Sequence, residues 1–232
     1  MTDFMLNGEK EPFLIIQMNQ GDKVFAESDS LLAMQDGIEV KGQMRGGFLS
    51  SMMRAVSSEE DFFQQTLTAT KDAVAMLSPA LPGDIKILDL SKKAYFLNDY
   101  AFFAADDSIN LSIRRNQTLG SSFFGGDGFF VLHATGQGKL AINGLGSIEE
   151  IEIDPSSDFI VDNGHLLAWE EGISYGMEMV NSGGGSFFSR AVNSMTSAEG
   201  LVMRLQGEGK VYVASRNLNS FKSFIESLRP NS

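Results

Sequence analysis

LLAMQDGIEV (Leu31–Val40), FFAADDSINL (Phe102–Leu111) and LLAWEEGISY (Leu166–Tyr175) read as three copies of one decapeptide. In each, two large apolar residues precede an Ala, an acidic or amide-bearing pair follows, and an Ile leads an alternating run. The copies start 71 and then 64 residues apart (31 to 102, 102 to 166), so a unit of about that length has been repeated. A repeat of this kind describes how a chain is built before it says anything of chemistry.

The flanks repeat as well. FLIIQMNQGDKVFAESD from Phe13, GDIKILDLSKKAYFLND from Gly83 and SIEEIEIDPSSDFIVDN from Ser147 each place an alternating run, a polar turn and a second run before the decapeptide. Downstream lie the Gly-rich segments RGGFLSSMMRAV from Arg45, GSSFFGGDG from Gly120 and GGGSFFSRAV from Gly183. Each leads into a further pair of apolar runs. The two later copies hinge that pair on G-x-G-K, Gly136 to Lys139 and Gly207 to Lys210, where the first copy has Thr70 to Ala73. The expected units span 12–80, 83–143 and 147–215. Each is read as two strands, a decapeptide strand, a Gly-rich loop and a hairpin.

Period-two alternation carries the strand assignments, as at Ile151 and Ile153 between Glu150, Glu152 and Asp154. Many short strands with turn signals between them predict an all-β fold, a sandwich or barrel rather than a parallel sheet, with the repeated units fused in one body over residues 1–216. A lone unit of this size would bury only about 60% of its unfolded surface, which favours fusion. From Asn217 the spacing changes: Leu218, Phe221, Phe224, Ile225 and Leu228 fall three and four apart before Pro230, predicting an amphipathic C-terminal helix in the tail 217–232 that packs on its own body.

Composition narrows function. The chain has 232 residues, 43% hydrophobic, with 18 Phe, 24 Gly and no Cys. Without Cys there are no disulfides or thiolate metal sites, and a cytoplasmic protein is expected. No basic and apolar leader opens the chain, and no apolar run approaches the ~20 residues of a membrane-spanning helix. A net charge of −12 argues against nucleic acid, whose phosphates need clustered Lys and Arg. The basic pairs Lys92–Lys93 and Arg114–Arg115 sit beside acidic neighbours and read as solvated strand ends.

Here the residues carry a resemblance. EGLVMRLQGEGKVYVASR (Glu199 to Arg216), GDGFFVLHATGQGKLAINGLGSIEEIEI (Gly126 to Ile153) and VDNGHLLAWEEGISY (Val161 to Tyr175) resemble the mitochondrial-biogenesis, or altered-inheritance-of-mitochondria, family, known in bacteria as a domain of unknown function. The resemblance covers nearly the whole chain and is weakest in the first copy, where Glu60-Asp61 replaces an acidic-Gly pair. It implies a fold similar to the tryptophan RNA-binding attenuation protein (TRAP-like), a short, jelly-roll-like β-sandwich module that forms rings. By implication there are three such modules per chain, and a homotrimer. The mitochondrial branch is associated with inner-membrane organisation. The resemblance supplies no activity, and the Lys- and Arg-rich edges of the RNA-binding relative are absent.

Candidate chemistry is sparse. His133 and His165 lack carboxylates at zinc-ligand spacing, and His165 reads as a half-buried strand-end residue. No G-x-S-x-G supports a nucleophile. The G-x-G-K hinges are followed by Leu140 and Val211 within a strand, so they read as hairpin turns with positive φ rather than phosphate loops. The acidic pairs Asp106-Asp107 and Glu170-Glu171, with Gln35-Asp36 in the first copy, read as solvated turns. We expect no catalytic residues, no cofactor and no bound metal. The candidate face is the Gly-rich segments, with Phe48, Leu49, Met52, Met53, Phe123, Phe124, Phe187 and Phe188. Large apolar residues in loops usually meet a partner, another subunit or their own sheet. The expected function is that of a non-enzymatic oligomeric scaffold or assembly protein binding a protein partner or membrane surface. The alternative is a small-molecule binder with sites in clefts between modules.

Overall fold

The computed structural model describes residues 2–43, 64–98, 100–116, 129–179 and 201–229. Phe48, Leu49, Met52, Met53, Phe123, Phe124, Phe187 and Phe188 lie outside the described residues. The described chain is mostly β, with one helix at its C-terminal side.

Strand β1 (Asp3–Asn7) precedes a run of six: β2 (Phe13–Met18), β3 (Lys23–Glu27), β4 (Leu31–Met34), β5 (Ile38–Gln43), β6 (Gln64–Ala69) and β7 (Ala73–Leu77). Then follow β8 (Gly83–Asp89), β9 (Tyr95–Leu97), β10 (Phe102–Asp106), β11 (Ile109–Asn116), β12 (Phe129–Gly136) and β13 (Lys139–Leu145). The last are β14 (Ile148–Ile153), β15 (Phe159–Asp162), β16 (Leu166–Glu170), β17 (Ser174–Met179), β18 (Leu201–Gln206) and β19 (Gly209–Ala214), before helix α1 (Leu218–Ser227).

Among the described residues four sheets form, ordered β1-β2-β7-β4, β5-β6-β3-β10-β13-β8, β11-β12-β9-β16-β19-β14 and β15-β18-β17. Alternation decides their faces. In β2, Leu14, Ile16 and Met18 are buried while Ile15 and Gln17 turn outward. Three cores fill the spaces between successive sheets. Leu14, Ile16, Leu67 and Leu77 lie in the first, Leu97, Leu132, Leu140 and Ile142 in the second, and Trp169, Met203, Leu205 and Val211 in the third. The two six-stranded sheets each contribute to two cores, one on either face, which is why β10, β13 and β16 read as continuous apolar runs rather than alternating ones.

The decapeptide is not a single strand. It is two strands joined by a tight turn, β4 to β5, β10 to β11 and β16 to β17. The polar pair and the residue after it make the turn, with Gly37 at φ 107° in the first. Before the turn, each copy carries a register shift, between Leu31 and Ala33, Phe102 and Ala104, and Leu166 and Ala168. The second apolar residue of each decapeptide is therefore the extra residue of a β-bulge. Strand alternation sends it to a different core from the residue before it, and the bulge keeps it on the same side as the Ala that follows, as with Phe103 and Ala104 or Leu167 and Ala168. Phe102 lies in the second core and Phe103 in the first; Leu166 lies in the third and Leu167 in the second.

The G-x-G-K hinges are hairpin turns, with Gly136, Gly138, Gly207 and Gly209 all at positive φ. The helix starts as its sequence predicts: the Asn217 side chain accepts from the backbone N–H groups of Asn219 and Ser220. Its packing is looser than expected. Leu218 is its buried residue, whereas Phe224, Ile225 and Leu228 are exposed.

Candidate functional site

Two places gather polar and apolar groups in ways that suit binding. The first is an open cleft of about 990 Å³ where the connections between strand runs converge. Its lining comes from the β1–β2 turn (Lys10, Glu11), Pro82 before β8 and Gly83 at its start, Gly146 before β14, and Arg216 and Phe221 around the start of α1. Glycines allow the backbones to meet there: a Cβ at Gly83 would lie 2.0 Å from the Gly144 carbonyl oxygen. Asp84 is committed to structure, accepting from the N–H groups of Ile85 at 2.8 Å and Ile148 at 3.2 Å. His165 also lines the cleft. Its Nδ1 lies 2.8 Å from the Ala214 carbonyl oxygen, so Nδ1 carries the proton and Nε2 is the acceptor in the neutral ring. It is a half-buried residue at the start of a strand. Lys10, Arg216, Glu9, Glu11 and Asp84 all line the cleft, so it has mixed charge and suits a polar ligand with an apolar part resting on Phe221 and Phe224.

The second place is the seam where β9 pairs with β16. Phe96 stacks on His133 at 4.7 Å and contacts Trp169 at 5.8 Å and Tyr175 at 5.1 Å. His133 is buried, with Nε2 2.8 Å from Oε1 of Glu171 and Nδ1 3.4 Å from Nη2 of Arg114. Local spacing hid this pair, because the two residues meet only when β12, β9 and β16 lie side by side. Lys93 Nζ donates to Oε2 of Glu170 at 2.5 Å across the same seam. The group is a structural clamp: an ion pair over an aromatic stack, without a nucleophile in hydrogen-bond reach of a base.

The acidic pairs are only half solvated. Asp107 and Glu171 are exposed, but Asp106 and Glu170 are buried. Asp106 accepts from the Lys139 backbone N–H at 2.5 Å, and a Cβ at Gly138 would lie 2.6 Å from its Oδ2. Glu170 occupies the same place against Gly209. The second Gly of each hinge thus makes room for a buried carboxylate. Among the described residues no group of His, Asp and Glu is arranged to hold a metal ion.

Burial raises the pKa of Asp106, opposed by its bond from the Lys139 N–H, and burial also raises that of Glu27, opposed by Asn143. A raised folded-state pKa penalises the ionised form. The penalty is absent below the unfolded carboxylate pKa of about 4 and grows as pH rises through the folded value. Asp106→Asn keeps an acceptor for Lys139 and removes the charge. It is expected to raise the melting temperature at pH 7 and to match the parent near pH 4. A melting temperature at pH 7 equal to or below the parent's would refute this reading.

The comparisons with known proteins agree on the fold. The chain is 29% identical over 228 residues to an uncharacterised protein of Streptococcus pyogenes serotype M6, spanning 95% of this chain and 88% of that protein. A crystal structure of a protein from Streptococcus pyogenes matches with a TM-score of 0.78 at 28% identity, covering 99% of this chain and 100% of that one. Residues 4–216 match the model of the mitochondrial biogenesis AIM24 family. A match over nearly the whole chain, in a fold already built from its strands and cores, makes this protein a member of the mitochondrial biogenesis AIM24 family.

Proposed function

We propose that this protein is a non-enzymatic assembly scaffold: three TRAP-like six-stranded modules (12–80, 83–143 and 147–215) fused edge to edge, working as a cytoplasmic homotrimer that holds a protein partner or membrane surface. The observation that carries the reading is the recurrence of one pairing scheme. β2-β7-β4, β8-β13-β10 and β14-β19-β16 have the same order, as do β3-β6-β5, β9-β12-β11 and β15-β18-β17. Repetition of this kind builds surface and rigidity, and the polar groups at its seams are consumed in holding it together. Exposed Phe224 and Ile225 on α1, with Leu228 at its C-cap, give the scaffold an apolar contact surface. No helix of the described residues is long and apolar enough to cross a membrane, so membrane contact in this reading is peripheral.

Native mass spectrometry of the protein drawn gently from its own cells tests this. A trimer carrying added protein mass is the expected result, and a bare monomer would overturn it. The cleft beside α1 favours a second reading, a small-molecule binder. It predicts a small, reproducible added mass and thermal stabilisation by a metabolite, and a flat metabolite screen would remove it.

A further inference from the structure

The cleft beside α1 holds charges of both signs that the fold leaves unpaired. Elsewhere many cations are committed to carboxylates: Lys71 to Asp36, Lys139 to Asp89, and Arg204 to Asp158 and Glu178. In the cleft, Lys10, Arg216, Glu9 and Glu11 make no ion pair or side-chain hydrogen bond among the described residues. Asp84, the remaining charge there, is held by the N–H groups of Ile85 and Ile148. His165 adds Nε2, left as an acceptor by the bond from Nδ1 to the Ala214 carbonyl.

The backbone makes room for this arrangement. Gly146 has φ 77°, and a Cβ there would lie 2.3 Å from Oγ of Ser215 and 3.2 Å from Cγ of Arg216, so the missing side chain leaves space for the stem of Arg216. Glu11 has φ 51°, and among the described residues Asp29 is the other non-Gly residue at positive φ. Backbone strain of that kind gathers at ligand sites.

Apolar surface continues outward from the charges. Phe221 and Phe224 line the cleft, Phe224 is 57% exposed, and Ile225 and the C-cap Leu228 are exposed beyond it. Spacings of three and four place the four on one face of α1. From Phe221 to Leu228 that strip is about 10 Å long, at a rise of 1.5 Å per residue. It is longer than an amino-acid side chain, and a hydrocarbon chain is the ligand part that would cover it.

A simple anion would meet Glu9 and Glu11, and a simple cation would meet Lys10 and Arg216. A zwitterion satisfies both sets. We propose that the cleft binds a zwitterionic amphiphile of the phospholipid class, carrying a phosphate and an ammonium on a hydrocarbon chain. Arg216 and Lys10 receive the phosphate, since a guanidinium offers paired N–H donors to its oxygens. Glu9, Glu11 and Nε2 of His165 receive the ammonium, and the chain lies on Phe221 and Phe224. A few placed polar groups fix orientation while apolar surface supplies contact area, as in other small-molecule sites. The inference deepens the small-molecule reading above and rests on it.

Isothermal titration calorimetry of the full chain with dihexanoylphosphatidylethanolamine, kept below its micelle concentration, tests it. One-to-one binding is expected, about tenfold tighter than for dihexanoylphosphatidylglycerol, which lacks the ammonium, or phosphoethanolamine, which lacks the chains. Arg216→Ala and Phe224→Ser, both at exposed positions, are each expected to weaken binding about tenfold and to leave circular dichroism and melting temperature unchanged. Protein that pellets with vesicles of phosphatidylethanolamine and phosphatidylcholine would take the lipid from a membrane, and protein that binds the monomer alone would take it free; either supports the assignment. Equal affinity for either comparison compound, or binding that ignores both substitutions, would overturn the inference and leave the small-molecule reading standing. No heat with any of the three would also overturn it, and together with a flat metabolite screen would remove that reading as well.

Discussion

Phe103→Ala is expected to destabilise the fold by about 3–5 kcal/mol, the range for truncating a fully buried Phe. Leu32→Ala, at the same place in its decapeptide, is expected to cost the dilute chain less than about 0.5 kcal/mol. The difference arises from position in the stack of sheets. Phe103 is the bulged residue of β10, delivered to the first core beside Leu67 and Ile85. Its removal leaves a cavity that the strand cannot collapse, because Ala104 and Ala105 are held between β3 and β13. Leu32 is the bulged residue of β4, an edge strand, and is more than half exposed. Denaturant melts of both variants at low protein concentration check this. Equal losses would mean that position in the stack of sheets does not set the cost.

Gly83→Ala is expected to cost about 1–3 kcal/mol, or more if the strand pair must separate. The atoms in its way are backbone: the Gly144 oxygen at 2.0 Å and the Gly146 nitrogen at 2.9 Å. Neither can rotate aside. Gly83 opposes Leu145 at the end of the β8–β13 ladder and makes a parallel bridge to Gly146, so the clash falls where two strand runs are connected. Gly176→Ala on β17 is the control, with nothing within 4 Å of the added carbon. Thermal unfolding should show Gly83→Ala lower by about 2–4 °C for each kcal/mol in a chain of this size, with Gly176→Ala at or above the parent. Equal melting temperatures would show that the connection yields, and that the cleft beside it is soft.

Much of this architecture is legible in the residues. Alternation in FLIIQM and IEEIEI marks β2 and β14, the glycines of G-x-G-K mark the hairpins, and Asn217 with its apolar spacing marks α1. These signals are local, because backbone conformation at a turn, a cap or a pleat depends on a few neighbouring residues. Other features depended on groups far apart in the chain. Asp106 and Glu170 read as solvated, yet each is buried against a hinge glycine more than thirty residues later. The His133–Glu171 contact joins residues that share no motif. The turn inside each decapeptide was hidden by its apolar content, which serves two cores rather than one strand.

By itself, then, the sequence determined the all-β class, the helix and its cap, the hairpin hinges, and a decapeptide whose two large apolar residues are followed by a small one. Tertiary structure alone decided which core each of those residues enters. Successive side chains of a strand point to opposite faces of a sheet, and what lies beyond each face is set by strands from another part of the chain. Phe103 and Leu32 occupy the same place in the same motif, and only the stacking of sheets leaves one sealed and the other exposed.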